Sequence, residues 1–309
     1  MHVASLSFAS FALSVTVLAA PGCAPAEDDE FRALMTGGNS GGGTVFNTNM
    51  LDEREFSELA PLDLPHMGWA LEGVSLGGAA MAEVTVDAGA LVVVDKEGAA
   101  HEGAELEGSV WSVGYAMGML EIPIVLREVL AVDGVPHYRF THKREEKEVP
   151  TCPPGLDGPG HTRVLEGLRI DEATGAVTAA PGFLYLACDT GATGKAAALG
   201  YHEVAVANAD LGLFEVGLRA IRADYCYDGV AQTTAGVELV IEDVWGIHGS
   251  SEAYGANPVE AVWGRDGLIC RGQGRLTDIK CDGQEPAPVC AKHTNFSRYP
   301  DALYITRVL

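Results

Sequence analysis

The chain has 309 residues, with 20 Lys+Arg against 43 Asp+Glu and a net charge of −23. That balance argues against nucleic acid as a partner, because phosphate binding rests on clustered Lys and Arg, and against adsorption to an anionic membrane surface. Hydrophobic residues at 47% and charged residues at 20% are ordinary globular usage and argue against wholesale disorder, while 38 Gly point to many turns between short strands.

The N-terminus reads as an export signal. Ser5 to Ala20 carries no charge and is shorter than the run of about 20 apolar residues that a membrane-spanning helix needs. It ends in Leu18-Ala19-Ala20-Pro21-Gly22-Cys23, followed by acidic Glu27-Asp28-Asp29-Glu30, which predicts a removed signal over residues 1–22. Cys23 after a small residue resembles a bacterial lipobox, in which that Cys becomes the lipid-bearing first residue. Ala20 stands where Leu is usual, and the leading segment has His2 but no Lys or Arg. The alternative is cleavage near Ala20 with Cys23 left as a thiol; exported proteins seldom leave one odd thiol. Lipid on Cys23 makes a membrane the expected partner through the N-terminus. Residues 23–44, acidic and then Gly-rich from Gly37 to Gly43, predict a flexible tether.

The body alternates short apolar runs with turn residues. Strands are predicted at Ala90–Asp95, Glu107–Tyr115, Leu120–Val132, His137–Thr141, Arg163–Ile170 and Ala176–Leu186. Val132-Asp133-Gly134-Val135 offers an Asp-Gly hairpin turn, and Glu172-Ala173-Thr174-Gly175 offers another turn. Two segments read as helical. Lys195–Tyr201 is Ala-rich. Leu211–Tyr225 places Phe214, Leu218, Ile221 and Tyr225 on one face, with Asp210 as N-cap and Glu215 and Arg219 four apart as an ion pair.

After Cys23, six cysteines remain: Cys152, Cys188, Cys226, Cys270, Cys281 and Cys290. An even set in an exported protein implies disulfides, and no close Cys pair favours zinc. Local context suggests 281–290 across a turn-rich segment, 226–270 from helix corner to strand, and 152–188 for the remaining two.

Motifs with chemistry are sparse. Gly73-Val74-Ser75-Leu76-Gly77 matches G-x-S-x-G, but a nucleophile elbow needs a buried strand before Ser75 and a helix after it, and Pro65 to Trp69 and Gly78 suit neither. His137 to Arg144 interleaves aromatic and basic residues; an exposed strand end whose Lys143, Arg144 and Lys147 pair with Glu145, Glu146 and Glu148 accounts for it better than nucleic acid. The nine His form no dense metal pattern. Asp224, Asp228, Glu242 and Asp243 could offer oxygens to Ca²⁺, without an EF-hand loop. No catalytic, cofactor or metal set is assigned.

The strongest local block is Arg222-Ala223-Asp224-Tyr225-Cys226-Tyr227-Asp228-Gly229, closing the better helix. With it come Ala187-Cys188-Asp189, Gly191-Ala192-Thr193-Gly194-Lys195, Leu199-Gly200-Tyr201, and Glu260-Ala261-Val262-Trp263-Gly264 before Cys270. The ordered set resembles the ADYC-domain family, named for the tetrapeptide formed here by Ala223, Asp224, Tyr225 and Cys226. The resemblance covers roughly residues 107–309 and implies an exported, lipidated protein; it brings no activity with it. Family members often carry a Cys after the Lys195 position and another in the helix before Arg222; this chain has Ala196 and no Cys between Phe214 and Arg222, which implies one disulfide missing as a unit. The residues alone allow two readings of the block: a disulfide-stapled corner with Gly229 at positive φ, or an acidic surface site on Asp224 and Asp228.

The expectation is a β-rich antiparallel α+β body with one or two short helices, stapled by disulfides. It is divided as signal 1–22, tether 23–44, N-terminal β-rich segment 45–106 and ADYC-like domain 107–309. A binding or structural module in the cell envelope fits best; a secreted hydrolase with an unlocated site and a calcium-dependent adhesion module are the alternatives.

Overall fold

The computed structural model describes residues 45–309 apart from 63, 65, 88, 133, 156–157, 234–236, 238, 249–256, 276–278, 280, 284 and 293. The signal, Cys23 and the tether lie outside the described residues, as does Asp133 of the Asp-Gly turn.

The strands in chain order are β1 (Met50–Leu51), β2 (Arg54–Glu55), β3 (Glu58–Leu59), β4 (Trp69–Leu76), β5 (Ala79–Ala80), β6 (Glu83–Asp87), β7 (Ala90–Val94), β8 (Ala100–Glu102), β9 (Val110–Tyr115), β10 (Leu120–Val132), β11 (Val135–Arg144), β12 (Lys147–Pro150), β13 (Thr162–Ile170) and β14 (Val177–Cys188). Three short helices follow, α1 (Ala192–Ala198), α2 (Tyr201–Ala207) and α3 (Leu211–Arg222), and then β15 (Leu239–Asp243), β16 (Val259–Gly264), β17 (Gly267–Arg271) and β18 (Ala302–Val308). The fold is therefore β-rich α+β, as the turn-punctuated pattern predicts.

A nine-stranded antiparallel sheet runs β3-β14-β13-β11-β10-β9-β4-β5, with β12 also on β11. Strands from 45–106 thus join the sheet that the later strands build. The three-stranded sheet β6-β7-β8 covers one face: Leu91 and Val93 share a buried cluster with Trp111, Ile124, Phe140, Val164 and Leu186. The other face at β13–β14 carries the helices. Leu165, Tyr185 and Ala187 pack with Phe214 and Leu218 of α3 and with Ile241, Trp263 and Tyr304 of the four-stranded sheet β15-β18-β16-β17. Neighbouring residues of β13 and β14 thereby enter different cores, as strand alternation requires.

The helix α3 follows its N-terminal signals but stops at Arg222, three residues short of the expected Tyr225. Asp210 Oδ1 accepts from Gly212 N at 3.1 Å, and Ala223 ends the helix in the left-handed region at φ 52°. The Lys195–Tyr201 segment is two helices, not one, because Gly200 breaks it at φ 77° and Tyr201 starts α2.

Three disulfides join Cys152–Cys188, Cys226–Cys281 and Cys270–Cys290, with Cα atoms 5.6, 5.2 and 4.9 Å apart. The expected 226–270 and 281–290 links are incorrect. Residue 289 runs beside β17, with Arg271 bridged to Val289, which brings Cys290 to Cys270. Arg275 binds back onto the end of α3, donating to Ile221 O at 2.8 Å and Ala220 O at 2.6 Å, which returns the chain toward Cys226.

The basic run also differs from expectation. It forms β11 with Tyr138 and Phe140 fully buried and His137 and His142 nearly so. Arg144 pairs with Glu53 and Glu148 with Arg127, partners more distant in sequence than Glu145 and Glu146.

Candidate functional site

The Ala223–Cys226 corner is built inward. Asp224 is 0% exposed. Its Oδ2 accepts from Arg219 Nη1 at 2.6 Å and from Gly229 N at 3.0 Å, and its Oδ1 accepts from Asp228 N at 3.1 Å. Burial pushes the Asp224 carboxyl above the ordinary aspartate value, opposed by Arg219 and by the two N–H groups. Arg219 also binds Glu215 at 2.8 Å, the pair that the four-residue spacing predicts, and lies over the Tyr227 ring. Tyr225 stacks on Trp263, and its hydroxyl donates to Glu260 Oε1 at 2.5 Å. Gly229, at φ 80°, lies where a Cβ would meet Ala173 O at 2.1 Å, so no side chain fits. The Cys226–Cys281 bond closes the corner. The acidic-surface reading of Asp224 is overturned: its oxygens face inward because a buried guanidinium and a tight turn need an acceptor there.

The other singled-out acids are committed as well. Asp228 Oδ1 accepts from Val230 N at 2.9 Å, Glu242 pairs with Arg307, and Asp243 accepts from Ile247 N at 3.0 Å and His248 N at 2.8 Å. These four acids are distributed over separate partners and do not converge on one point. Ser75 lies within β4, opposite Ala80 in a tight hairpin and Val110 on β9. That is mid-sheet geometry, whereas an activated serine needs a strand-to-helix turn.

Sequence reasoning missed two titratable groups with shifted proton affinities, half-buried Glu172 and buried Lys195. Burial raises Glu172 to about 8, with Tyr185 Oη donating to its Oε1 at 2.5 Å. Burial lowers Lys195 to about 8, opposed by nearby Asp189. Both residues lie in segments the sequence singles out, a turn and a family block, but only the tertiary fold reveals their burial.

Two concave regions stand out among the described residues. A cleft of about 360 Å³ is lined by Arg127, Arg139, Thr141 and Glu148, and its charges are largely neutralised: Arg127 pairs with Glu148 and Arg139 with Glu128. A groove of about 400 Å³ lies between β13, the start of β11, the β6–β7 hairpin and α2. Its walls are mainly apolar, with Val86, Val135, Leu165 and Val206, and Glu166 and Glu203 also line it. Arg163 lines it too, donating to Ala197 O at 3.3 Å. His202 reaches it with a buried Nε2 and is held below the ordinary histidine value by burial. An apolar concavity with a few polar groups is the usual form of a binding site.

Residues 103–277, more than half of the chain, match the ADYC domain. The protein belongs to the ADYC-domain family. Within that span lie the Ala223–Cys226 corner, β9 to β17 and all three helices. No curated protein and no solved structure matches the chain.

Proposed function

We propose that this is an exported cell-envelope protein, held to a membrane by lipid on Cys23, that works as a binding module. The groove beside β13 and α2 carries this reading: it is an apolar concavity on a body whose family motif is itself a framework. Three disulfides support an oxidising compartment, since such bonds persist outside the reducing cytosol. The acidic, Gly-rich residues 23–44 would hold the folded body off the membrane.

The test is fractionation of cells making wild-type or Cys23→Ser protein. Wild type should sediment with membranes and the variant should appear in the soluble envelope fraction. A mature wild-type chain beginning with an unmodified residue other than Cys23 would overturn the anchor.

A further inference from the structure

One end of the nine-stranded sheet carries methionine out into solvent. Met67 precedes β4, and Met117 and Met119 lie in the turn from β9 to β10. They are 63, 66 and 80% exposed, although methionine is among the side chains most often buried. Backbone hydrogen bonds gather them. Met117 N donates to His66 O at 3.0 Å and Ala116 N donates to Gly68 O at 3.2 Å, which sets Met67, between His66 and Gly68, beside Met117. Tyr115 pairs with Leu120, so Met117 and Met119 share the tight turn that this pair closes.

The turn itself does not call for these side chains. Ala116 and Met117 hold left-handed φ values of 52° and 58°, where Asn or Gly is favoured and other side chains cost stability. High exposure removes a packing reason as well. What the three residues share is a thioether, a soft and polarisable sulfur on a flexible side chain that can turn to meet a ligand. Such sulfur selects soft cations of the Cu(I) kind, whereas carboxylate and carbonyl oxygens suit Mg²⁺ and Ca²⁺. The six body cysteines are joined in disulfides, which leaves thioether as the soft sulfur donor of the folded body.

We infer that this tip binds a soft monovalent cation, Cu(I) or its chemical like, through the sulfurs of Met67, Met117 and Met119. The cation site stands apart from the groove beside β13 and α2 and does not rest on it. The net charge of −23 raises the local concentration of any cation, and the thioethers then supply the selectivity that carboxylates lack. Holding the cation needs only side-chain rotation, since the two chain segments are already tied by the Met117–His66 and Ala116–Gly68 hydrogen bonds.

The experiment titrates the oxidised Cys23→Ser protein, whose substitution removes the odd thiol, with silver nitrate in chloride-free buffer containing excess Mg²⁺. Ag(I) is a soft monovalent stand-in for Cu(I), and the Mg²⁺ occupies carboxylates. Calorimetry and native mass spectrometry should show a single saturable silver ion. The combined Met67→Leu, Met117→Leu and Met119→Leu variant keeps the bulk of each side chain without its sulfur, and Leu meets the same backbone cost as Met at position 117. It should unfold in urea as the parent does and bind silver at least about tenfold more weakly. Unchanged silver affinity in that variant would overturn the inference, because the ion would then sit elsewhere. So would the absence of silver binding to the parent, or silver that Mg²⁺ displaces. None of these outcomes bears on the groove or on the anchor, which the Cys23 fractionation decides.

Discussion

Replacing Asp224 with Ala should unfold the protein more readily than any surface change. Asp224 is fully buried and the Arg219 side chain is 6% exposed, so truncation strands a guanidinium inside the protein. Breaking a buried ion pair from one side costs about 3–5 kcal/mol. Glu215 still holds Arg219 at 2.8 Å, which places the loss of that pair near the lower end. The N–H groups of Asp228 and Gly229 also lose their acceptor, at about 1 kcal/mol each. The total is about 5 kcal/mol, a large share of a domain's usual stability. Asp224→Asn keeps a carbonyl acceptor and should cost less. Combining Asp224→Ala with Arg219→Met removes the stranded charge, so the double variant should be more stable than the two single losses summed. The assay is urea unfolding of the oxidised protein at pH 7, with m-values compared between variants. A loss below about 1 kcal/mol for Asp224→Ala would refute the framework account and restore the motif as a replaceable acidic surface.

Further outcomes follow from the same structure. Glu172 keeps its proton to about pH 8 in the folded state, whereas an unfolded chain releases it near the ordinary glutamate value, so stability should fall as pH rises through that interval; Glu172→Gln should flatten the slope, which is at most about 1.4 kcal/mol per pH unit, in urea titrations at stepped pH. Removing Cys226–Cys281, which spans 55 residues, should cost about 4 kcal/mol, and removing Cys270–Cys290, which spans 20, about 3 kcal/mol, measured as Cys→Ser pairs by denaturation. Gly229→Ala should destabilise by about 1–3 kcal/mol or more, since its Cβ would overlap Ala173 O; a neutral result in thermal unfolding would mean that the turn yields freely.

The parts of the fold legible in the sequence were those with local causes. Apolar runs ended by turn glycines marked β7, β10, β13 and β14, and Phe214, Leu218 and Ile221 at helical spacing marked α3. Asp210 as cap and Glu215–Arg219 as a pair were equally local. The motif block was recognisable, but its role was not, because Asp224 reads as a turn former until Arg219 is seen folded onto it. The 152–188 disulfide is as expected, and the other two pairings failed for a non-local reason. Nothing periodic in residues 272–290 announces that Arg275 pins the chain to the end of α3 or that residue 289 runs along β17. The groove was hidden for the same cause: its lining comes from β6, β11, β13 and α2, which only the tertiary fold brings together.

The most direct test is non-reducing peptide mapping of the mature protein isolated from the envelope of the cells that make it. The account expects three linked pairs, 152–188, 226–281 and 270–290, no free thiol among those six, and an N-terminal peptide starting at lipid-modified Cys23. Free thiols at Cys226 and Cys281, together with an N-terminus that retains residues 1–22, would contradict both the framework and the compartment.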